Sequence, residues 1–164
     1  MFASASLYSV PAAGGTPTLL TTPDPKAGEF EHRWPEILPD GRSVLFTAWG
    51  GGFDRTRIMS RSLVSDEVKT ILDGGTASRY SATGHLVYYQ AGTLMAVPFN
   101  PSSLVAGGTR IPLQEPVQTP AAGAANYSLS RTGTLVLVSG TARAERKLVW
   151  VDRKNSNNVS PVLP

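Results

Sequence analysis

Three segments of this chain align without a gap around one glycine: "LPDGRSVLF" at 38–46, "SATGHLVYY" at 81–89 and "SRTGTLVLV" at 130–138. Gly41, Gly84 and Gly133 coincide, 43 and then 49 residues apart. Self-similarity at that period marks supersecondary units stacked in series. Behind each glycine lies a run that is apolar at consecutive positions: Val44-Leu45-Phe46, Leu86 to Tyr89, and Leu135 to Val138. A strand apolar at successive residues is buried on both faces, so each unit must be pressed between neighbours.

A second motif lies farther along each period. "LYSVPAAGGTPTLL" (7–20) matches "LMAVPFNPSSLVAGGTRIPL" (94–113) in passing from Leu-x-x-Val-Pro through Gly-Gly-Thr to another apolar strand. "RIMSRSL" (57–63) with "EVKTIL" (67–72), and "KLVWVDR" (147–153) with "VSPVLP" (159–164), occupy the same place in their periods. Each period therefore predicts four short strands: one before the glycine turn, one after it, and this pair. Antiparallel four-stranded units at about 40–50-residue spacing are the signature of propeller blades. The expected fold is all-β, a β-propeller segment of about three and a half four-stranded antiparallel blades, partial or open, within a single domain. Residues 7–22 would supply the outer strands of a first blade, with blades at 33–73 and 77–115 and a final one at 126–164. Gly 16 and Pro 13 in 164 residues exceed ordinary usage and punctuate the short runs. Nowhere does a 3.6-residue period with caps persist, so little helix is expected.

Asp40 is the first residue to ask about for chemistry. Pro39-Asp40-Gly41 has turn composition, and Asp-Gly before an apolar run is a strong hairpin signal. The repeat separates the two roles. The glycine recurs in all three copies, whereas Asp40 is replaced by Thr83 and Thr132. Backbone geometry is what the fold demands, so Asp40, Gly41, Gly84 and Gly133 are read as structural turns. The chain has 2 histidines. His85 follows a turn glycine and reads as a polar loop residue. His32 sits in "GEFEHRWPE" (28–36), among Glu29, Glu31, Arg33 and Glu36 and beside Trp34. That segment enters the first strand of a blade, next to the central channel. His32, Arg33, Trp34 and Glu36 are accordingly the candidate ligand-binding residues, set against the plainer reading of a salt-bridged, capped loop.

Other chemistries lack their residues. With 0 cysteines there is neither a disulfide nor a thiol nucleophile nor cysteine-ligated metal, and no catalytic, metal or cofactor site is expected. No Gly-x-Ser-x-Gly elbow occurs. "WGGGFD" (49–54) lacks the helix or Lys-Ser/Thr that a phosphate loop requires. A net charge of +3 invites a nucleic-acid reading, but the arginines are scattered without stacking aromatics, so no nucleic-acid partner is expected. The longest apolar runs are far short of a bilayer span, and "MFASASLYSV" lacks the basic and apolar regions of a signal peptide.

"HRWPEILPDGRSVLF" (32–46), "RYSATGHLVYYQAGTLMAVPFN" (79–100) and "YSLSRTGTLVLV…KLVWVDRK" (127–154) resemble WD-repeat-like, TolB-type β-propeller repeats, nearest those found C-terminal to bacterial serine/threonine protein kinases. That family usually has Ser-Pro-Asp-Gly where this chain has Leu38-Pro39-Asp40-Gly41, and a glycine where it has Asn155. No kinase motif is present: there is no Gly-x-Gly-x-x-Gly-x-Val, His-Arg-Asp or Asp-Phe-Gly. The resemblance therefore implies a non-catalytic interaction or sensory module within a larger kinase-linked or receptor-like bacterial protein. Its partners would be a protein, peptide or small-molecule ligand at the blade-top loops, together with the remaining blades of a full-length propeller. The composition does not fix a compartment; the resemblance suggests the periplasmic or other extracytoplasmic part of a membrane-anchored protein. The competing reading is an accessory propeller gating a peptidase or hydrolase encoded in the same full-length chain.

Overall fold

The computed structural model describes residues 1–120, 123–130, 132–140, 149–151 and 159–161, with backbone alone at 2–4, 149–151 and 159–161. Strands β1 (Phe2–Ser4), β2 (Ser6–Ser9) and β3 (Thr18–Thr21) make a first antiparallel sheet. β4 (Glu31–Ile37), β5 (Ser43–Trp49), β6 (Thr56–Ser62) and β7 (Val68–Asp73) make a second, four-stranded and in chain order. β8 (Thr76–Ser81), β9 (His85–Gln90) and β10 (Thr93–Asn100) begin a third, in which β11 (Val105–Ala106) and β12 (Ile111–Gln114) pair with different halves of β10. β13 (Tyr127–Leu129) and β14 (Leu135–Leu137) form a hairpin, as do β15 (Val149–Val151) and β16 (Val159–Pro161). Helix is confined to two three-residue 3-10 turns, Pro25–Ala27 and Phe53–Arg55.

The sheets stack face to face, as blades do. All seven residues of β5 are buried. On β9, Leu86 and Tyr88 join Leu45, Ile58, Leu72, Val97 and Phe99 in the core between the second and third sheets. Val87 and Tyr89 of the same strand turn the other way, onto Leu94, Ala96, Val117 and Ala125, where Tyr127, Leu129, Leu135 and Leu137 of β13 and β14 pack. The consecutive apolar run on β9 thus feeds two cores from one strand. Together these features make the chain a partial β-propeller.

Two details depart from the sequence reading. The first sheet has a third strand, β1, whose three residues carry no alternation to mark it. The run at 135–138 is not buried on both faces: Leu135 and Leu137 point inward, but Val136 is 64% and Val138 50% exposed. Among the described residues no further sheet covers that outer face. The expected last pair of strands is present as β15 and β16, while much of the 141–164 region lies outside the described residues.

The three repeat glycines adopt φ of 66° (Gly41), 80° (Gly84) and 88° (Gly133), the left-handed region where a side chain is strained. Each donates its N–H three residues back, to Leu38, Ser81 and Ser130 carbonyls at 2.9, 2.9 and 3.1 Å. The polar cap of the turn moves between copies. In the first, Asp40 Oδ1 accepts from Arg42 N–H at 2.9 Å. In the third, Ser130 Oγ accepts from Thr134 N–H at 2.9 Å, and in the second Ser81 Oγ meets Thr83 Oγ1 at 2.8 Å. Where the turn begins with Leu38 instead of serine, the aspartate two residues later supplies the cap. A Cβ on Gly41 would meet nothing within 4 Å, so its cost is backbone strain alone. Gly41→Val is expected to lower stability by about 1–3 kcal/mol. Asp40→Asn, which keeps an acceptor oxygen, should cost less than about 0.5 kcal/mol. Urea unfolding of both variants measures the difference, and equal small losses would contradict the turn reading.

Candidate functional site

β4 is the edge strand of the second sheet, and a bulge decides which way its side chains point. Arg33 pairs with Thr47 and Glu36 with Leu45, so Trp34 and Pro35 together stand opposite Phe46 alone. Trp34 has φ of 53°, and proline is tolerated because a bulge removes its ladder bond. In a regular strand, residues three apart face opposite ways. The extra residue brings Arg33 and Glu36 to the same face, that of the third sheet, and leaves His32 on the other.

His32 is 3% exposed and faces the first sheet. Its Nδ1 lies 2.7 Å from Thr21 Oγ1 and its Nε2 3.0 Å from Glu29 Oε2, and its ring is tilted 4.7 Å from Phe46. Burial lowers its pKa against the pull of Glu29, so the ring is neutral at pH 7. Nε2–H donates to the carboxylate and Nδ1 accepts from the threonine hydroxyl, which engages both nitrogens. Glu29 also takes Arg57 Nη2 at 2.5 Å and the Asp24 N–H at 2.9 Å. The cluster joins the first sheet, the loop after it, β4 and β6.

Arg33 and Trp34 belong to a different assembly. The Arg33 guanidinium lies 4.7 Å from the Trp49 ring and 5.7 Å from the Trp34 ring, with Nε 2.6 Å from Glu31 Oε2. Trp34 meets Trp49 edge-on at 6.2 Å, Trp49 meets Phe53 at 5.3 Å, and Phe53 meets Tyr89 at 5.7 Å. Glu31 pairs with Trp49 and Thr76 with Tyr89, so this ladder runs along one end of the second and third sheets. Gly123 backs the two tryptophans, since a Cβ there would come within 2.7 Å of Trp49 and 3.2 Å of Trp34. Phe30 (61% exposed) and Phe53 (41%) complete an apolar rim at that end.

Glu36 stands farther along β4. Its Oε2 accepts the Tyr80 N–H at 3.1 Å and lies 4.0 Å from Arg79 Nη1. Burial pushes its carboxyl up to about 6, against the Arg79 charge and the Tyr80 hydrogen bond, which pull it down. Beside it, the Tyr127 hydroxyl donates to the Ala77 and Val87 carbonyls, and its burial raises its pKa.

The structure therefore divides the four candidates. Arg33 and Trp34 share the rim, Glu36 lies on the same face nearer the turn, and His32 is locked in a buried network on the opposite face. His85, expected in a loop, is instead the first residue of β9, pairing with Ser81 and Pro98, and its Nδ1 lies 3.1 Å from the Thr83 carbonyl. Trp49, Phe53, Phe30 and Tyr89 are not among the candidates that the sequence marks. The signal for Trp49 and Phe53 was present in "AWGGGFD", an aromatic on each side of a glycine loop. Among the described residues, no three His, Asp or Glu side chains gather as a metal site requires.

With this geometry in hand, the chain can be set beside known proteins. It is similar in fold to TolB. The crystal structure of TolB from Acinetobacter baumannii superposes with a TM-score of 0.56 at 21% identity, covering 97% of this chain. The chain spans 38% of the TolB chain, so it corresponds to part of that propeller. No protein-family model matches it, nor does any curated protein. The likeness to TolB carries the β-propeller architecture and stops there.

Proposed function

We propose that the chain is a non-catalytic protein-interaction module, with blades at 33–73, 77–115 and 126–164 and residues 7–22 supplying outer strands of a first. It belongs to a larger kinase-linked or receptor-like bacterial protein. The observation that carries this reading is the rim: an arginine 4.7 Å over Trp49, with the exposed ring of Phe53 5.3 Å from that tryptophan and exposed Phe30 just before the same end of β4. Arginine and aromatic side chains are enriched where proteins bind one another, because they bury large area at small entropic cost. Among the described residues no helix is long and apolar enough to cross a membrane. The kinase-linked context rests on the sequence resemblance.

The test begins with a random peptide display library panned on the folded chain. Selected peptides are titrated against tryptophan emission, which Trp34 and Trp49 report from within the rim. Phe53→Ala and Phe30→Ala should each weaken the selected peptides roughly tenfold or more. Peptides indifferent to both substitutions would overturn the assignment of the rim. Saturable hydrolysis of ester or peptide probes by the chain would overturn the non-catalytic reading.

A further inference from the structure

The opposite end of the inner strands holds a cleft of about 490 Å³ that the rim does not use. Glu36, Ile37, Leu38 and Pro39 from β4 and its turn, with Tyr80 and Ala82 from β8 and its turn, line it. The size is within the range of small-ligand pockets, and the walls are mainly apolar. Among the described residues Glu36 is the one carboxylate lining it. Its Oε2 holds the Tyr80 N–H and faces Arg79, while Oε1 has no hydrogen-bond partner among the described residues. The side chain is 23% exposed and lines the cleft.

From this geometry we propose that the cleft binds a primary ammonium on an unbranched apolar stem, the ammonium on Glu36 Oε1 and the stem along Leu38, Pro39 and Tyr80. Two alternatives fit less well. A guanidinium wants both carboxylate oxygens in a parallel fork, and Oε2 is already occupied. A divalent metal wants several oxygen ligands, and no three acids or histidines converge among the described residues. An ammonium is a compact point charge that one free oxygen can serve. The groups facing Glu36 from the neighbouring elements are Arg79 and Tyr80 on β8 and Tyr127 on β13. Burial raises the carboxyl even though Arg79 stands 4.0 Å from Oε2.

The probe is n-butylammonium, followed by ¹³C-carboxylate NMR of Glu36. Saturable binding should draw the Glu36 titration below its free value. Affinity should fall roughly tenfold per pH unit below about 6, as the carboxylate protonates. Glu36→Gln should abolish binding, and the wild-type protein at low pH tests the same point without a variant. n-Butanol and n-butylguanidinium should bind at least roughly tenfold more weakly. A capped lysine peptide binding more tightly than butylammonium would assign the ammonium to a protein lysine; equal affinity would assign it to a free amine. No saturable change, undiminished binding to Glu36→Gln, or equal binding of butylguanidinium would overturn the proposal. The cleft and the rim are separate surfaces, so failure of either leaves the other standing.

Discussion

Glu29→Ala is expected to lower the stability of the protein by about 3 kcal/mol at pH 7. The carboxylate side chain is 9% exposed and accepts from three groups at once: His32 Nε2, Arg57 Nη2 and the Asp24 N–H. Alanine removes both acceptor oxygens, leaving the buried His32 N–H unpaired and the Arg57 guanidinium with the Ala27 carbonyl at 3.4 Å as its remaining partner among the described residues. Breaking a buried ionic cluster on one side costs more than the intact cluster contributes, because the remaining groups stay desolvated. The loss falls toward the low end of the usual range because the Arg57 side chain is 32% exposed and water can take over part of its pairing. Glu31→Ala is the matched control. That acid also pairs with an arginine, but its side chain is 40% exposed, so its loss should cost less than about 1 kcal/mol.

The same cluster sets the direction of acid sensitivity. Burial raises the Glu29 carboxyl, but the Asp24 and His32 hydrogen bonds and the nearby positive charges outweigh it, and the net shift is downward from 4.5. A group lowered in the folded state adds stability above its unfolded value, which is lost as pH falls through the folded one. His32 is lowered from 6.5 and behaves alike: the unfolded chain takes up its proton first. Acidification below 6.5 should therefore erode this network. Glu36, raised from 4.5 to about 6, works the other way and gains on protonation. In urea unfolding across pH, the gap between wild type and Glu29→Ala should narrow below 4.5. A gap that stays below about 1 kcal/mol at pH 7 would mean that water already solvates the cluster.

What could be read in the sequence depended on whether the cause was local. Gly41, Gly84 and Gly133 announce their turns because a left-handed residue is a property of one position, and the repeat shows it three times. The runs on β5 and β9 are legible as doubly buried because both faces are written in consecutive residues. The candidate site is legible only in its chemistry. Glu29 next to His32 is visible, but Thr21 and Arg57, which complete the network, come from other strands. The bulge at Trp34-Pro35 moves Glu36 to the face of Arg33, and no strand alternation could show that. Trp49, Phe53 and Tyr89 reach the rim from separate strand ends, so only the stacking of sheets brings them to Arg33. Val136 and Val138 carry the same lesson in reverse. Their apolar character matches a blade interior, but burial needs a neighbour, which no residue can encode alone.

The crossing from the second sheet to the third should tolerate substitution poorly. Gly74 and Gly75 link β7 to β8 with φ of 78° and 84°, carrying the backbone from the outermost strand of one sheet to the first strand of the next. Gly74 N–H donates to the Thr56 carbonyl at 2.8 Å, which pins the crossing to β6. Both glycines carry the same left-handed strain penalty on substitution, but their surroundings differ. A Cβ on Gly74 would meet the end of the Gln90 side chain at 2.7 Å, which can swing away. A Cβ on Gly75 would come within 2.5 Å of the Tyr88 ring and 3.3 Å of Ile58 Cδ1, and both residues are 0% exposed in the core between the sheets. Neither can yield without opening that core, so overpacking adds to the backbone strain. Gly75→Ala is expected to destabilise by about 3–5 kcal/mol and Gly74→Ala by about 1–2 kcal/mol. Urea unfolding of the two variants, alongside the near-ultraviolet dichroism of Tyr88's surroundings, measures both effects. Equal losses would mean that the crossing is governed by backbone conformation alone and that the sheets can part enough at this seam to admit a methyl group.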